Sequence, residues 1–256
     1  MKTRSLLNKL AKRFPKRIAK ENHDFVGLMT GKLPEEIHKI VLCLDCDWEI
    51  FPLIKEEKPD LVLTHHPLVY GYKSKVFKRY PDKKELCDAL DAIGVPVYSM
   101  HTNFDTGRGG MNDALASALN LQDVQIVEAN PMMRGGRLPE PMRVEDFAKY
   151  ANKCFKVNYS LLINKGNPVV EKVAVIGGGG SGNWPIAKDA GYDIYISGDA
   201  PHHVRREIVN GKYNYLDMPH EIEKIFIPTM KKIIHELDDS LEIVTIDHEI
   251  EPTVIK

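Results

Sequence analysis

The amino-acid sequence predicts an α/β fold with two duplicated α/β lobes, each containing a mixed, mostly parallel sheet. The chain has 256 residues, of which 43% are hydrophobic and 28% are charged. These fractions are ordinary for a folded globular protein, and the length suffices for one large domain or two lobes. Near-continuous apolar strands alternate with helical stretches, which is typical of parallel sheets covered on both faces. The third observation is an internal repeat.

The repeat joins two stretches that begin 133 residues apart, at Lys39 and Lys172. Each opens with an apolar strand, KIVLC in one copy and KVAVI in the other. The same offset aligns a proline at a helix start, and then Asp60 with Asp193 before a second apolar strand. Each copy therefore predicts a strand–helix–strand unit, and we expect the two copies to share one topology.

The remaining elements follow from periodicity and turn residues. We predict a first lobe over 1–130, to which the C-terminal segment is a candidate to return, and a second lobe over 131–256. Residues 131–141 are rich in Gly, Pro and Arg and are interpreted as a loop between the lobes. Predicted helices span 1–17, 82–93, 112–118, 144–156, 201–209 and 221–236, and predicted strands lie within 94–100, 213–218 and 243–246.

Charge and hydropathy argue against a nucleic-acid-binding protein and against a membrane protein. The formal net charge of −1 argues against a broad nucleic-acid-binding face. No run approaches the roughly 18 apolar residues of a membrane span. The basic opening MKTRSLLNKLAKRFPKR lacks a secretory apolar core, so we expect a first helix and a cytoplasmic location. Four cysteines in so long a chain suit a reducing compartment.

Cys43 and Cys46 form a CxxC motif within KIVLCLDCD. Residues three apart on a strand point to opposite faces, so a redox dithiol would require the strand to end between them. We therefore predict that both thiols pack in the core.

Histidines follow two strands of the first copy. His65 and His66 come directly after the apolar strand LVLT, and His101 and Asp105 follow the next strand. The carboxyl edge of a parallel sheet is where ligands bind. His65 and His66 are interpreted either as metal ligands or as two polar residues of a surface loop. His101 is interpreted either as a catalytic proton-transfer residue beside a metal or as a histidine that only hydrogen-bonds the strand end.

A third cluster ends a short strand in the second half, in the string Asp217-Met-Pro-His-Glu-Ile-Glu223. His220 and Glu223 are three residues apart at a helix start and can share a face. Three clusters of histidine and carboxylate have the composition of a zinc, iron or manganese site.

Two other features leave alternatives open. The loop Gly177-Gly-Gly-Gly-Ser-Gly182 follows a strand and precedes a helix, which suits either phosphate binding or close backbone packing. It lacks the GK[ST] ending of a P-loop. His202 and His203 either line a cleft or form a solvated helix start.

Several of these strings occur together and in order. They are HDFVGL with Gly31, then THHPL, HTNFD, GGRL, VIGGGGSG and YISGDAPHH. In this combination the chain resembles the GTP cyclohydrolase I type 2 homologues, also called the Nif-three-like family, over essentially its whole length. It is similar to the short form that lacks an inserted domain.

The resemblance implies two intertwined, duplicated α/β lobes with a dinuclear metal site in the cleft between them, usually within a toroidal homohexamer. The family's metal-binding histidines fall on His65 and His66, and the aspartate of its HTNxD motif falls on Asp105. Its final histidine and glutamate are four apart, and the nearest match here is His220 with Glu223, three apart. Because of this shorter spacing, we expect His220 to lie just before the first helical turn. Glu221 is the alternative carboxylate.

Two functions follow from this comparison. The first is a dinuclear-metal-dependent hydrolase that acts on a nucleotide or phosphoester, or opens the ring of GTP as the family name suggests. It would use two divalent ions per subunit, zinc, iron or manganese, with Glu223 as the candidate bridging ligand. The alternative is a metal-binding interaction or metal-handling protein without turnover.

Overall fold

The computed structural model describes residues 1–255, which form two compact units. One comprises Met1–Gly110 and Phe226–Glu249, and the other comprises Met111–Ile225 and residues 250–255. The boundary after residue 130 drawn from the sequence differs, because residues 111–130 contribute a helix and a strand to the second unit.

The helices and strands are as follows in chain order. The α-helices are α1 (Thr3–Arg13), α2 (Lys16–Glu21), α3 (Phe51–Glu57), α4 (Lys73–Arg79), α5 (Pro81–Ala92), α6 (Thr102–Thr106), α7 (Met111–Ala118), α8 (Val144–Phe155), α9 (Trp184–Asp189), α10 (His202–Asn210) and α11 (Phe226–Leu237). The strands are β1 (Gly27–Thr30), β2 (Lys39–Cys43), β3 (Leu61–Thr64), β4 (Val97–Ser99), β5 (Gln122–Val127), β6 (Asn130–Arg143), β7 (Leu161–Asn164), β8 (Val169–Val175), β9 (Ile194–Gly198), β10 (Asn214–Met218) and β11 (Glu242–Thr245). Two 3₁₀ helices span Ser181–Asn183 and His220–Ile225.

The first unit is organised around a sheet of order β1-β4-β3-β2-β11. The strands β4, β3, β2 and β11 are parallel, and β1 pairs with β4 in antiparallel fashion. All four residues of β3 are buried, as expected for an apolar strand covered on both faces. The parallel arrangement brings the ends of β3 and β4, and hence the polar residues that follow them, to one edge of the sheet.

Cys43 and Cys46 are free thiols buried in the core of this unit. Burial raises the pKa of both thiols well above the ordinary value, so neither is a ready thiolate nucleophile. The prediction of core packing is confirmed.

The second unit contains a mixed sheet of order β5-β6-β8-β9-β10-β7, in which β8, β9 and β10 are parallel. The repeat predicted from the sequence is visible in its register. Ile40 pairs with Leu61 between β2 and β3, and Val173 pairs with Ile194 between β8 and β9. All four positions obey the offset of 133.

The repeat extends to a backbone contact made by the aspartate that directly precedes the second strand of each copy. Asp60 accepts hydrogen bonds from the backbone amides of residues 38 and 39 at 2.7 and 2.9 Å. Asp193 accepts the corresponding bonds from residues 171 and 172 at 3.0 and 2.8 Å. The two copies therefore share topology, register and this backbone contact.

The interpretation of residues 131–141 as a connecting loop is wrong, because they belong to the long strand β6. A Cβ atom at Gly135 would lie 1.9 Å from the Tyr192 hydroxyl, so glycine there admits a close neighbour. Arg134 is fully buried and forms a bidentate ion pair with Asp113, at 2.8 and 3.0 Å. Glycine and arginine, which suggested a loop, serve close packing and a buried ion pair in a strand.

The predicted helix over 221–236 is two elements, the 3₁₀ helix His220–Ile225 followed by α11. None of the helices within residues 1–255 combines the length and the apolar character needed to cross a bilayer.

Candidate metal centre

His65 and His66 occupy the turn that follows β3. The backbone amide of His66 donates to the carbonyl oxygen of Leu44 at 3.0 Å, and the Thr64 hydroxyl donates to the carbonyl oxygen of His66 at 2.8 Å. These bonds satisfy the backbone where the sheet ladder stops. His65 is fully buried and His66 is partly buried, so both imidazoles have defined positions at the sheet edge.

The histidines of this edge share one pattern of hydrogen bonding. Each uses Nδ1 to contact an oxygen that can only accept, so Nδ1 carries the proton and the lone pair of a neutral ring lies on Nε2. The contacts are His65 Nδ1 to the Met100 carbonyl at 2.9 Å, His66 Nδ1 to Asp45 Oδ2 at 2.7 Å, and His101 Nδ1 to Asp24 Oδ2 at 2.8 Å.

The three imidazoles converge. One nitrogen from each of His65, His66 and His101 lies within 4.8 Å of the others, a spacing at which they could hold a metal ion. Asp105, on α6, adds a buried carboxylate, and its Oδ1 is 3.4 Å from His65 Nε2. Two ligands of one tetrahedral zinc ion are separated by about 3.3 Å, given metal–ligand distances near 2.0–2.1 Å. The donor set in the first unit therefore suits a divalent ion.

Two carboxylates orient this set. Burial tends to raise the pKa of Asp45, but the His66 hydrogen bond and nearby histidine charge outweigh it and lower that pKa. Burial likewise opposes ionisation of Asp24, and bonds from His101 and Thr102 give a net lowering of its pKa. Both groups remain ionised acceptors at neutral pH, which fixes the orientation of the imidazoles they contact.

The second unit contains the other predicted pair. His220 Nε2 lies 3.0 Å from Glu223 Oε2, and His220 Nδ1 lies 2.5 Å from Asp199 Oδ2. His220 repeats the Nδ1-to-acceptor pattern of the first unit. Glu223 is buried, whereas Glu221 is partly exposed. The pKa of Tyr159 is raised mainly by burial of its own side chain and, to a smaller extent, by the negative charge of Glu221.

The spacing of this pair has a simple explanation. In a 3₁₀ helix with three residues per turn, positions i and i+3 lie above one another. His220 and Glu223 belong to such a helix, so the three-residue spacing brings the two side chains together. The expectation that His220 precedes the first helical turn is wrong.

The glycine-rich loop is packed closely against the same pair. A Cβ atom at Gly178 would lie 2.5 Å from Glu223 Oε1, and Gly178 has a φ of +61°. The amide of Gly177 donates to Asn112 Oδ1 at 2.8 Å, and that of Gly180 donates to the Gly178 carbonyl at 2.8 Å. These amides serve internal bonds, which favours close packing over phosphate binding.

The structure places other sequence candidates differently. His202 and His203 are exposed at the start of α10, as the solvated alternative described. Sequence reasoning missed Asp24, Asp45 and Asp199 as the acceptors that orient histidines. Each lies in a loop remote in sequence from its partner, and only the motif strings around Asp24 and Asp199 marked those positions.

The family model described as Duf34/NIF3 (NGG1p interacting factor 3) matches residues 1–252. The chain belongs to this family. It is 30% identical over 233 residues to the GTP cyclohydrolase 1 type 2 homolog of Clostridium perfringens, covering 88% of each protein. A homolog of the same name from Lactococcus lactis is 28% identical over 247 residues, 95% of each.

The fold of this Duf34/NIF3 chain also matches a solved structure. The Bacillus cereus protein related to NIF3 superposes with a TM-score of 0.88 at 19% identity, over 100% of this chain and 99% of that one. The prediction of an α/β fold of this family is confirmed.

Proposed function

We propose that this protein is a metal-dependent hydrolase that binds two divalent ions per subunit. The proposed ligands are His65, His66 and Asp105 in the first unit and His220 and Glu223 in the second. One observation carries the proposal: each of the three proposed histidine ligands directs Nδ1–H to an acceptor, which presents its Nε2 as the ligand atom.

The donor set defines the class of metal. Imidazole nitrogens and carboxylate oxygens suit zinc, iron and manganese, and thiolates, which favour softer metals, are absent from the proposed ligands. A divalent ion held there supplies Lewis-acid chemistry, polarising a substrate oxygen and lowering the pKa of water.

We assign proton transfer to His101. Its ring centroid lies 5.1 Å from that of His65 and 5.7 Å from that of His66. Asp24, with a side chain only 1% exposed, holds its Nδ1 in place. His101 Nε2 is then the atom that takes a proton from the attacking group and returns it to the leaving group.

The relatives named GTP cyclohydrolase 1 type 2 homolog make ring opening of GTP the first reaction to assay, followed by hydrolysis of other nucleotides and phosphoesters. We further propose a cytoplasmic homohexamer, as the family resemblance implies.

The test uses the metal-loaded chain against that substrate panel. We expect turnover by the wild type, and a loss of about 10²- to 10⁴-fold in His101→Gln with metal content retained. His38→Gln is the matched control, because the His38 side chain is 75% exposed and outside the cluster. Absence of hydrolysis by the fully loaded wild type would favour the alternative, a metal-handling protein without turnover. Loss of metal in His101→Gln would make His101 a ligand.

A further inference from the structure

A cavity of about 550 Å³ opens in the first unit beside the histidine cluster. Its wall is formed by α2, by the segment that leads into β1, and by the loop that leads into α4. The volume is in the range of small-molecule sites.

The cavity is strongly basic. Four cationic side chains line it: Lys16, Arg17, Lys20 and Lys73. Within residues 1–255 none of the four forms an ion pair with a carboxylate. Asp24 is the acidic residue of the wall, and its Oδ2 is engaged by His101 Nδ1 and by the amide and hydroxyl of Thr102. The positive charge of the lining is therefore not neutralised locally.

Lys16 is held in a defined position. Its ammonium nitrogen lies 5.0 Å from the centroid of the Tyr98 ring, a cation–π contact. A Cβ atom at Gly27 would lie 2.8 Å from the same nitrogen, and Gly27 has a φ of +106°. Glycine at this position leaves room for the ammonium group of Lys16. Part of the conformational entropy of the Lys16 side chain is therefore lost when the protein folds, and less is left to lose when a ligand binds.

Aromatic rings connect the cavity to the histidines. Phe25 lines the cavity and makes edge contacts with Tyr70 at 5.9 Å and Tyr72 at 5.6 Å. The Tyr70 ring is in turn 6.1 Å from the His101 ring. Asp24 lines the cavity and contacts His101. Tyr70 contacts both His101 and the cavity residue Phe25.

We infer that this cavity binds the phosphoryl groups of a phosphorylated small-molecule substrate, whose reacting part extends past Tyr70 to His101. Lysine and arginine are the side chains that bind phosphate oxygens through charge-assisted hydrogen bonds. The second half of the inference rests on the proposed function, but anion binding in the cavity does not require metal.

The test measures affinity for inorganic tripolyphosphate by calorimetry. The variant is Lys16→Gln/Lys20→Gln. The matched control is Lys149→Gln/Lys153→Gln, exposed lysines with the same spacing on α8 and the same change in charge. We expect the cavity variant to lose at least about tenfold in affinity, the value of one modest charge-assisted hydrogen bond, and the control to change less than about twofold. Equal affinity of the two double variants would overturn the inference.

Two further arms separate this inference from the proposed function. His66→Ala should bind tripolyphosphate with wild-type affinity, since it removes a proposed metal ligand outside the cavity. The cavity variant should keep its metal and, with a phosphorylated substrate, show a raised KM and a nearly unchanged kcat. Tighter binding of a single-stranded oligonucleotide than of tripolyphosphate, abolished by the same variant, would instead make the cavity a nucleic-acid site.

Discussion

Removing the carboxylate that orients His66 should weaken metal binding without unfolding the protein. Asp45 Oδ2 accepts from His66 Nδ1 at 2.7 Å, the length of a charge-assisted bond. Loss of such a supporting acceptor usually costs 10- to 100-fold in metal affinity. Because the Asp45 side chain is 44% exposed, solvent screens part of the interaction. We therefore expect about a tenfold loss for Asp45→Ala, or about 1.4 kcal/mol.

The assay is competition for zinc against a chelating dye at neutral pH, together with a denaturant titration. Asp45→Asn should lose less affinity than Asp45→Ala, because the amide oxygen still accepts from Nδ1–H. Asp47→Asn is the control, since Asp47 contacts His248, a histidine outside the proposed ligands, at 3.1 Å. An Asp45→Ala affinity equal to that of wild type would refute the view that this acceptor sets the His66 ligand atom.

Three other perturbations test the second unit. Glu223→Gln should lower metal content, whereas Glu221→Gln should not, as measured by elemental analysis; loss in the Glu221 variant alone would show that the carboxylate is misassigned. Gly178→Ala should cost about 1–2 kcal/mol in unfolding free energy from its left-handed backbone and should also weaken zinc binding by displacing Glu223, so an unchanged zinc affinity would contradict the packing argument. Arg134→Met should lower the free energy of unfolding by about 3 kcal/mol in a urea titration, because it leaves the Asp113 charge without its cation. Adding Asp113→Asn should recover part of that loss. An unchanged unfolding free energy in Arg134→Met would show that the ion pair does not stabilise the unit.

The fold was predictable where apolar pattern alone decides the structure. The segments LVL of β3 and VAVI of the second copy are buried because their residues are apolar. The offset of 133 allowed the topology of one copy to be inferred from the other. The strand β6 was not predictable in the same way. Gly135 lies against the Tyr192 side chain and Arg134 pairs with Asp113. Both partners are distant in sequence, so the local sequence gives no sign of them.

In the candidate site, too, some features could be predicted from chain order and others depend on tertiary contacts. His65 and His66 follow a strand, so their position at the sheet edge could be inferred from chain order. The acceptor Asp45 reaches His66 only because two strand-end loops meet in the folded chain. The pairing of His220 with Glu223 depended on a 3₁₀ helix, whereas the pattern HEIEKI suggested the start of an α-helix. Side-chain type predicted the kind of site, and tertiary contacts determined which atoms lie close together.

If His66 and its neighbours hold divalent metal ions, as proposed, the number of ions bound per chain must depend on His66. The chain should be saturated with zinc or manganese, freed of loosely bound metal and measured by elemental analysis and native mass spectrometry. We predict about two ions per wild-type chain, at least one fewer in His66→Ala, and no change in His38→Ala. A His66→Ala protein that folds and keeps the wild-type stoichiometry would contradict the assignment.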